Sequence, residues 1–340
     1  MKQHNESENL RCSKKEKQYE CLLSDSVIDM DRIRSISWSG IPDKYRSTVW
    51  RLFLDYEPVN SSIRSAALAH KRNDYFDCLE KVFSESQKYL WTSAQKLTEA
   101  QILRDLPRTH STILRNERVQ TLFEHVLFVW SVRHPASGYV QGMNDLLQPF
   151  FFVFLLPYCN GKDVDEIIEL DNLDFLSDDI MKEIEADCFW CFSKLLDGLQ
   201  DVYTTDQPGL YKMLDYLAKV ISRVEPDLCL MLKKEEIDYQ EFAFRWINCL
   251  LVREFPMKLV FRLWDLYLSN YTKISSIHVY VCSAILSFLS PQLLNLSHAQ
   301  FVLKIQSINP DDWKMEDMEM ILAQAYVYEK MFSHSPSHLS

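Results

Sequence analysis

The stretch Val119-Gln-Thr-Leu-Phe-Glu-His-Val-Leu-Phe-Val-Trp130 has the apolar spacing of an amphipathic helix. Its helical stripe consists of large apolar side chains three or four residues apart: Val119, Leu122, Phe123, Val126 and Trp130. At 3.6 residues per turn this spacing places them on one face. A second stripe follows the same rule over residues 274–289. The pattern predicts helices that pack on one another through these faces.

Glycine is rare, with six glycines in 340 residues, while 47% of the chain is hydrophobic, enough for a sizeable core. Many-stranded sandwiches and barrels need glycine for tight turns, so the composition favours an all-α fold. The alternation in residues 277–282 also fits a strand, but the longer stripe around it favours a helix. No glycine-rich phosphate-binding loop can be assembled, which excludes the dinucleotide-binding enzymes, P-loop NTPases and protein kinases recognised by such a loop.

The charge balance of 37 basic and 48 acidic residues gives a net charge of −11. This balance argues against nucleic acid or an anionic membrane surface as the partner. Nine cysteines are too sparse for a disulfide scaffold, and together with the polar start of the chain they predict a cytoplasmic location. The apolar stretch 146–158 is shorter than the roughly 20 residues of a transmembrane helix. We therefore expect it to be a buried helix, and expect no direct membrane insertion.

Composition divides the chain into one folded region and two tails. We predict a flexible N-terminal tail over residues 1–24, a folded region over 25–330 and a C-terminal tail over 331–340. From Asp163 to Asp187 there are eleven acidic residues against a single basic one, Lys182. Such a run predicts a solvated, protruding connection. The residue pattern of an EF-hand calcium loop is absent from it.

Several common catalytic patterns are incomplete in this sequence. Cys188 and Cys191 have the spacing of half a zinc or redox site, but no second pair follows, so we expect two core cysteines. A Gly-x-Ser-x-Gly elbow and a His-Glu-x-x-His pair are both missing from the sequence. The sequence therefore gives no support for a serine hydrolase or a catalytic metal.

Residues 101–109 combine a turn signal with an arginine. Pro107 stiffens the chain directly before Arg108, and Asp105 lies three residues before that arginine. Polar side chains on loops between packed helices are common functional positions. The structural alternative is that Arg108 only pairs with Asp105.

Residues 134–144 contain two of the six glycines, Gly138 and Gly142, on either side of Tyr139 and Gln141. Glycine this rare predicts a backbone that needs positive φ or a close approach. The structural alternative is that Gln141 only caps the next helix.

Three motifs, in order, resemble the signatures of the TBC-domain Rab GTPase-activating proteins. They are Arg46-Ser-Thr-Val-Trp50, Ile102-Leu-Arg-Asp-Leu-Pro-Arg108 and Tyr139-Val-Gln-Gly-Met143, which match R-x-x-x-W, I-x-x-D-x-x-R and Y-x-Q-G. The resemblance covers roughly residues 36–330 and includes Arg262-Leu-Trp-Asp265. The stretch Trp190-Cys-Phe-Ser-Lys-Leu-Leu-Asp-Gly-Leu-Gln200 and the later Gln207-Pro-Gly are similar to the branch with a Golgi-associated yeast member and its animal counterparts.

The resemblance implies an all-α, TBC-type multi-helix domain of two packed helical subdomains, a catalytic one at about 25–200 and a second at about 201–330. It implies that Arg108 is an arginine finger and Gln141 a glutamine finger, both supplied in trans to a small GTPase. The implied supporting residues are Asp105, Arg46, Trp50, Tyr139 and Gly142. For Trp50, and likewise for Trp246 and Trp264, a core position is the main expectation, because large aromatics in helical stripes are usually buried.

The implied partner is a Rab-family GTPase in its GTP-bound form. The protein then needs no cofactor of its own, because GTP and Mg²⁺ are carried by the Rab. The expected role is regulation of vesicle trafficking from the cytoplasm, with peripheral association with Golgi or other endomembranes as a further expectation. The alternative is a catalytically idle Rab-binding scaffold or effector, although both finger residues are present.

Overall fold

The computed structural model describes residues 14–108, 111–204 and 206–333. Over these ranges the regular structure is helical, and the only β-type pairing is an isolated antiparallel bridge between Val27 and Asn60. The predicted all-α fold is confirmed. The chain divides into two compact units: residues up to Leu195 with Trp264–Tyr271, and Leu196–Leu263 with the residues from Thr272 onward. The two subdomains were predicted to be contiguous in sequence, whereas Trp264–Tyr271 belongs to the first unit.

The first unit contains ten helices of the described chain, the tenth of which extends two residues beyond it. They are α1 (14–24), α2 (Met30–Ser37), α3 (Asp43–Phe53), α4 (Ser61–Phe83), α5 (Glu85–Lys88), α6 (Ser93–Asp105), α7 (Glu117–Arg133), α8 (Met143–Leu155), α9 (Val164–Ile168) and α10 (Asp178–Asp197). Short 3-10 helices occur at Ile113–Arg115 and Leu156–Tyr158.

Helix α8 forms the centre of the first unit. Twelve of its thirteen residues are buried, including Pro149 within the helix. Helices α3 and α7 pack on α8, and α4 and α6 pack on α7. The apolar stripe over residues 119–130 lies in α7, where it is buried as expected. The buried helix predicted over residues 146–158 is confirmed up to Leu155 in α8, whereas Leu156–Tyr158 form a 3-10 turn that is not buried.

The second unit contains the remaining helices. They are α11 (Pro208–Val224), α12 (Pro226–Lys234), α13 (Tyr239–Asn248), α14 (Met257–Ser269, up to Leu263), α15 (Ile274–Leu293), α16 (His298–Gln306) and α17 (Met315–Phe332). Helix α15 packs on α11, α13 and α17. A capping box begins α16, in which the Ser297 amide donates to Gln300 Oε1 at 3.0 Å. Residues 277–282 are helical, so the strand alternative is wrong.

The predicted tail boundaries are wrong at both ends. Residues 14–24 form α1, in which Tyr19 and Leu22 are buried. Tyr19 stacks on Tyr45 at 5.8 Å, and its hydroxyl lies 2.7 Å from Ser37 Oγ. The prediction was wrong because the many Lys and Glu residues of this segment indicate solvent exposure, although a few of its side chains face inward. At the other end α17 continues to the buried Phe332. Residues 1–13 and 334–340 lie outside the described residues.

The acid-rich connection is solvated over most of its length but not at its end. The carboxylates from Asp163 to Asp179 are exposed, as predicted. Asp187 is instead 3% exposed. It accepts from Arg51 Nη1 at 3.0 Å, from Arg72 Nε at 2.8 Å and from the Tyr56 hydroxyl at 2.7 Å. The last part of this acidic run is therefore core, because two arginines from distant helices pair with its carboxylate.

A second long apolar stretch comprises α15 and the turn before it. Within the described residues, Tyr271–Leu293 is long and apolar enough to cross a membrane by length and composition alone, and 72% of its most apolar window is buried inside the protein. Its burial against neighbouring helices is the behaviour of a core helix.

His278 gives α15 an acid-sensitive position. Its side chain is fully buried, and Cys282 Sγ lies 3.5 Å from its Nε2. Burial lowers the pKa of the imidazole from 6.5 to about 3, partly opposed by a hydrogen bond to the Trp246 backbone. In the unfolded chain the His278 imidazole binds a proton near pH 6.5, whereas in the folded chain it binds one only near pH 3. We therefore expect the stability to be full above pH 6.5 and to fall below it, by up to about 1.4 kcal/mol per pH unit from this group.

Urea unfolding at pH 7, 6 and 5 tests this expectation. The His278→Asn variant removes the buried imidazole. The slope of its free energy of unfolding against pH should therefore be smaller than that of wild type, by an amount that corresponds to at most one bound proton. His70→Asn, at a histidine whose side chain is 78% exposed, serves as the control and should keep the wild-type slope. Equal slopes in His278→Asn and wild type would contradict the assignment.

Candidate functional site

The arginine loop, residues 106–108, follows the end of α6. The last residue of α6 is Asp105, which is 5% exposed. The Arg108 amide donates to the Asp105 carbonyl at 3.0 Å, and Arg108 Nη1 donates to Asp105 Oδ1 at 3.1 Å. The Arg108 side chain is nevertheless 62% exposed. The guanidinium is thus anchored at one nitrogen and accessible at the others, which leaves further donors for a ligand.

The glutamine loop, residues 134–142, connects α7 to α8. Gly138 has φ +65° and Gly142 has φ +102°, so the predicted need for positive φ is confirmed. Gly142 is also the N-cap residue of α8. Gln141 directly precedes it and is exposed. A side chain at Gly142 would strain the backbone that sets the direction of the loop beside Gln141.

The Asp105 carboxylate joins the two loops. Its Oδ1 accepts from Arg108, and its Oδ2 accepts from the Tyr139 hydroxyl at 3.1 Å. The same hydroxyl lies 3.4 Å from Oδ1 of Asn144 in the first turn of α8. Since Tyr139 is two residues before Gln141, one buried carboxylate positions both loops. The structure thus joins the predicted residues Asp105, Arg108 and Tyr139 by hydrogen bonds, and Gln141 follows Tyr139 in the same loop.

Arg46 and Trp50 are held by a carboxylate from far along the chain, Asp265 of α14. Arg46 Nε donates to Asp265 Oδ1 at 3.1 Å and Trp50 Nε1 donates to the same oxygen at 2.7 Å. The Ile41 amide donates to Asp265 Oδ2 at 2.7 Å. Arg46 also donates to the Asp43 carboxylate and the Ile41 carbonyl. Asp265 is fully buried, so these donors replace its hydration.

The charges of this buried group support one another. Burial disfavours the Arg46 cation, but the charges of Asp265 and Asp43 outweigh it and raise the pKa of the guanidinium. Burial raises the pKa of Asp265, and Arg46, Trp50 and the Ile41 amide offset part of that rise. The arrangement is an ion pair whose other donor and acceptor groups are used in hydrogen bonds. A buried charge is tolerated in a protein under this condition.

Trp50 connects this buried group to the glutamine loop through α8. Its ring stacks on Trp264 at 6.0 Å and meets the edge of Phe150 at 5.8 Å. Phe150 belongs to α8, which begins one residue after Gly142. The core positions expected for Trp50, Trp246 and Trp264 are confirmed, as all three are buried. The supporting role of Arg46 and Trp50 stays a prediction.

Asp265 is a functional candidate to which the sequence patterns assign no role. It lies 219 residues from Arg46, so no local spacing connects the two. The only signal was its place in Arg262-Leu-Trp-Asp265. Conversely, Cys188 and Cys191 are buried and free, as expected for core cysteines. Among the residues that the structure describes, no group of three or more His, Cys, Asp or Glu side chains could hold a metal.

The exit of the arginine loop is described only in part. Thr109 and His110 lie outside the described residues, and Ser111 after them is described.

The fold and the two loops define a Rab-GTPase-TBC domain, whose family model matches residues 43–294, and the chain belongs to this family. It is 40% identical over 320 residues to the human protein "TBC1 domain family member 22B", covering 93% of this chain and 62% of that protein. It is 31% identical over 383 residues to the Saccharomyces cerevisiae "GTPase-activating protein GYP1", covering 94% of this chain and 59% of that protein.

A solved structure confirms the likeness in three dimensions. The crystal structure of the Ypt/Rab-GAP domain of Gyp1p matches with a TM-score of 0.89 and 36% identity, over 94% of this chain and 99% of that domain. The chain spans about three fifths of the length of the curated relatives it matches. The family resemblance seen in the sequence, including its branch, is confirmed.

Proposed function

We propose that this protein is a GTPase-activating protein for Rab-family GTPases and that it supplies Arg108 and Gln141 to the GTPase active site. The observation that carries the proposal is the Asp105 carboxylate, which bonds both Arg108 and Tyr139 and so holds both loops on one buried anchor. Membership of the Rab-GTPase-TBC family supports the choice of partner.

The two side chains match the two needs of GTP hydrolysis. Charge that develops on the phosphate oxygens must be stabilised, and the attacking water must be held in line. Arg108 can keep one nitrogen on Asp105 while its exposed nitrogens donate to phosphate oxygens. The Gln141 amide has both a donor and an acceptor, which is what orientation of a water requires. In this proposal GTP and Mg²⁺ arrive with the Rab, and the protein contributes no cofactor.

The proposed setting is regulation of vesicle trafficking. The yeast relative GYP1 is named a GTPase-activating protein, and its solved domain is named a Ypt/Rab-GAP domain, which supports the activity. The branch resemblance supports action from the cytoplasm on Golgi or other endomembranes, with the GTP-bound Rab as the recruited substrate.

Single-turnover GTP hydrolysis with a panel of GTP-loaded Rabs tests the proposal. We expect strong stimulation of one Rab or a few. Binding is measured in parallel with the same GTP-loaded Rabs. Binding without faster hydrolysis would contradict the activity and favour a Rab-binding scaffold, and absence of both would contradict the choice of partner.

A further inference from the structure

The exit of the arginine loop is attached to a distant part of the first unit. Ser111 lies three residues after Arg108 and is 8% exposed. Its hydroxyl donates to the carbonyl of Ile168, the last residue of α9, at 3.1 Å. The 3-10 helix Ile113–Arg115 that follows packs on α9. From Ser111 onward the chain is therefore attached to the acid-rich connection.

Arg118, at the start of α7, makes the second attachment. Its Nη1 donates to the carbonyls of Leu173 at 2.9 Å and Leu176 at 3.2 Å. Its Nη2 pairs with Asp178 at 2.9 Å. Two of the three bonds go to backbone carbonyls, so they fix the path of the chain itself. A planar guanidinium can make all three at once, which a lysine ammonium does less well.

The attached segment, residues 163–178, is anchored in the core by buried apolar side chains. Four of its apolar residues, Val164, Ile167, Leu173 and Leu176, are buried, each at most 4% exposed, whereas Phe175 is exposed. Its carboxylates point outward and are exposed. The acidic character of the segment is thus its solvent side, while its buried side supports the chain that follows Arg108.

We propose that residues 163–178 act as a brace for the arginine loop, and that Arg118 is a positioning residue for Arg108. The proposal rests on the proposed function, in which Arg108 must meet the phosphate in a narrow range of geometries. Displacements of about 1 Å at such groups can cost on the order of 10²-fold in rate. Loss of Arg118 removes one of the two attachments on the exit side of the loop and leaves the Ser111 hydrogen bond to Ile168, while Asp105 still holds the entry side.

The test compares Arg118→Ala with wild type at increasing concentrations of the most responsive GTP-loaded Rab. We expect the maximal single-turnover rate to fall roughly 10- to 100-fold, with the half-saturating concentration unchanged. Affinity for the Rab loaded with GDP and aluminium fluoride, a transition-state mimic, should fall by a similar factor, and affinity for the Rab loaded with a non-hydrolysable GTP analogue should not. Arg118→Lys should recover part of the rate.

Two acidic variants separate a brace from electrostatic attraction of the partner. Asp174→Asn removes one exposed carboxylate of the segment, and Asp178→Asn removes the carboxylate that pairs with Arg118. A brace predicts wild-type kinetics for Asp174→Asn and at most a small fall in maximal rate for Asp178→Asn, whose side chain is 89% exposed. Equal increases in half-saturating concentration for both variants, with a full maximal rate in Arg118→Ala, would overturn the brace.

Amide hydrogen exchange tests the brace without any GTPase. Arg118→Ala should speed exchange at Asn116 and Arg115, whose amides donate to Ile113 and Thr112, and leave α15 unchanged. If wild type stimulates no Rab, the proposed function fails, and this exchange result alone decides for or against the brace. Unchanged exchange together with unchanged rates would overturn it.

Discussion

Replacing Arg108 with alanine is expected to lower Rab GTP hydrolysis stimulated by this protein about 10³- to 10⁵-fold. That factor corresponds to roughly 4–7 kcal/mol of activation free energy. The folded state should change little, because the Arg108 side chain is 62% exposed and exposed ion pairs contribute about 1 kcal/mol or less. Asp105 keeps its hydrogen bond from Tyr139 in the variant. Single-turnover hydrolysis gives the rate, and circular dichroism checks the helix content.

Arg104→Ala is the matched control for this prediction. It removes the same charge from the same segment. Arg104 is exposed, and its Nε donates to the Ala100 carbonyl at 2.9 Å. We expect it to keep most of the activity. Loss of activity in Arg104→Ala but not in Arg108→Ala would show that the motif is assigned in the wrong register. Loss of helix in Arg108→Ala would make Arg108 a structural residue.

Local patterns in the sequence were sufficient for the buried face of α7 and for the backbone of the glutamine loop. The stripe in α7 repeats at 3.6 residues, so its buried face follows from spacing alone. The two glycines of the glutamine loop were predicted to need positive φ because glycine is rare here, and both have it. These features depend on residues within a turn or two of one another.

Features that depend on distant residues were missed. Burial of Asp187 needs Arg51 and Arg72, which lie 136 and 115 residues away. Without those partners a carboxylate in an acidic run is expected in solvent, which is where the other acidic side chains of that run mostly lie. The role of Asp265 was missed for the same reason, since charge pairing across the chain leaves no periodic signal.

Replacing Asp265 with alanine is expected to destabilise the first unit by about 3–5 kcal/mol. The carboxylate is fully buried and accepts from Arg46, Trp50 and the Ile41 amide. Its removal takes away the buried charge partner of the Arg46 guanidinium, which is 7% exposed, and leaves as its acidic partner Asp43, whose side chain is 67% exposed. Urea unfolding followed by tryptophan fluorescence measures the change, because Trp50 and Trp264 stack beside this carboxylate.

Asp43→Ala is the control, since it removes the other acidic partner of the same arginine. The Asp43 side chain is 67% exposed, so we expect a cost of about 1 kcal/mol or less. Equal costs for the two variants would contradict the importance of burial. If Asp265→Ala stays folded, GTPase stimulation should still fall, because Trp50 packs on Phe150 of α8 and that helix begins where the glutamine loop ends. The buried carboxylate would then support the position of Gln141 through packing, although it lies 124 residues farther along the chain.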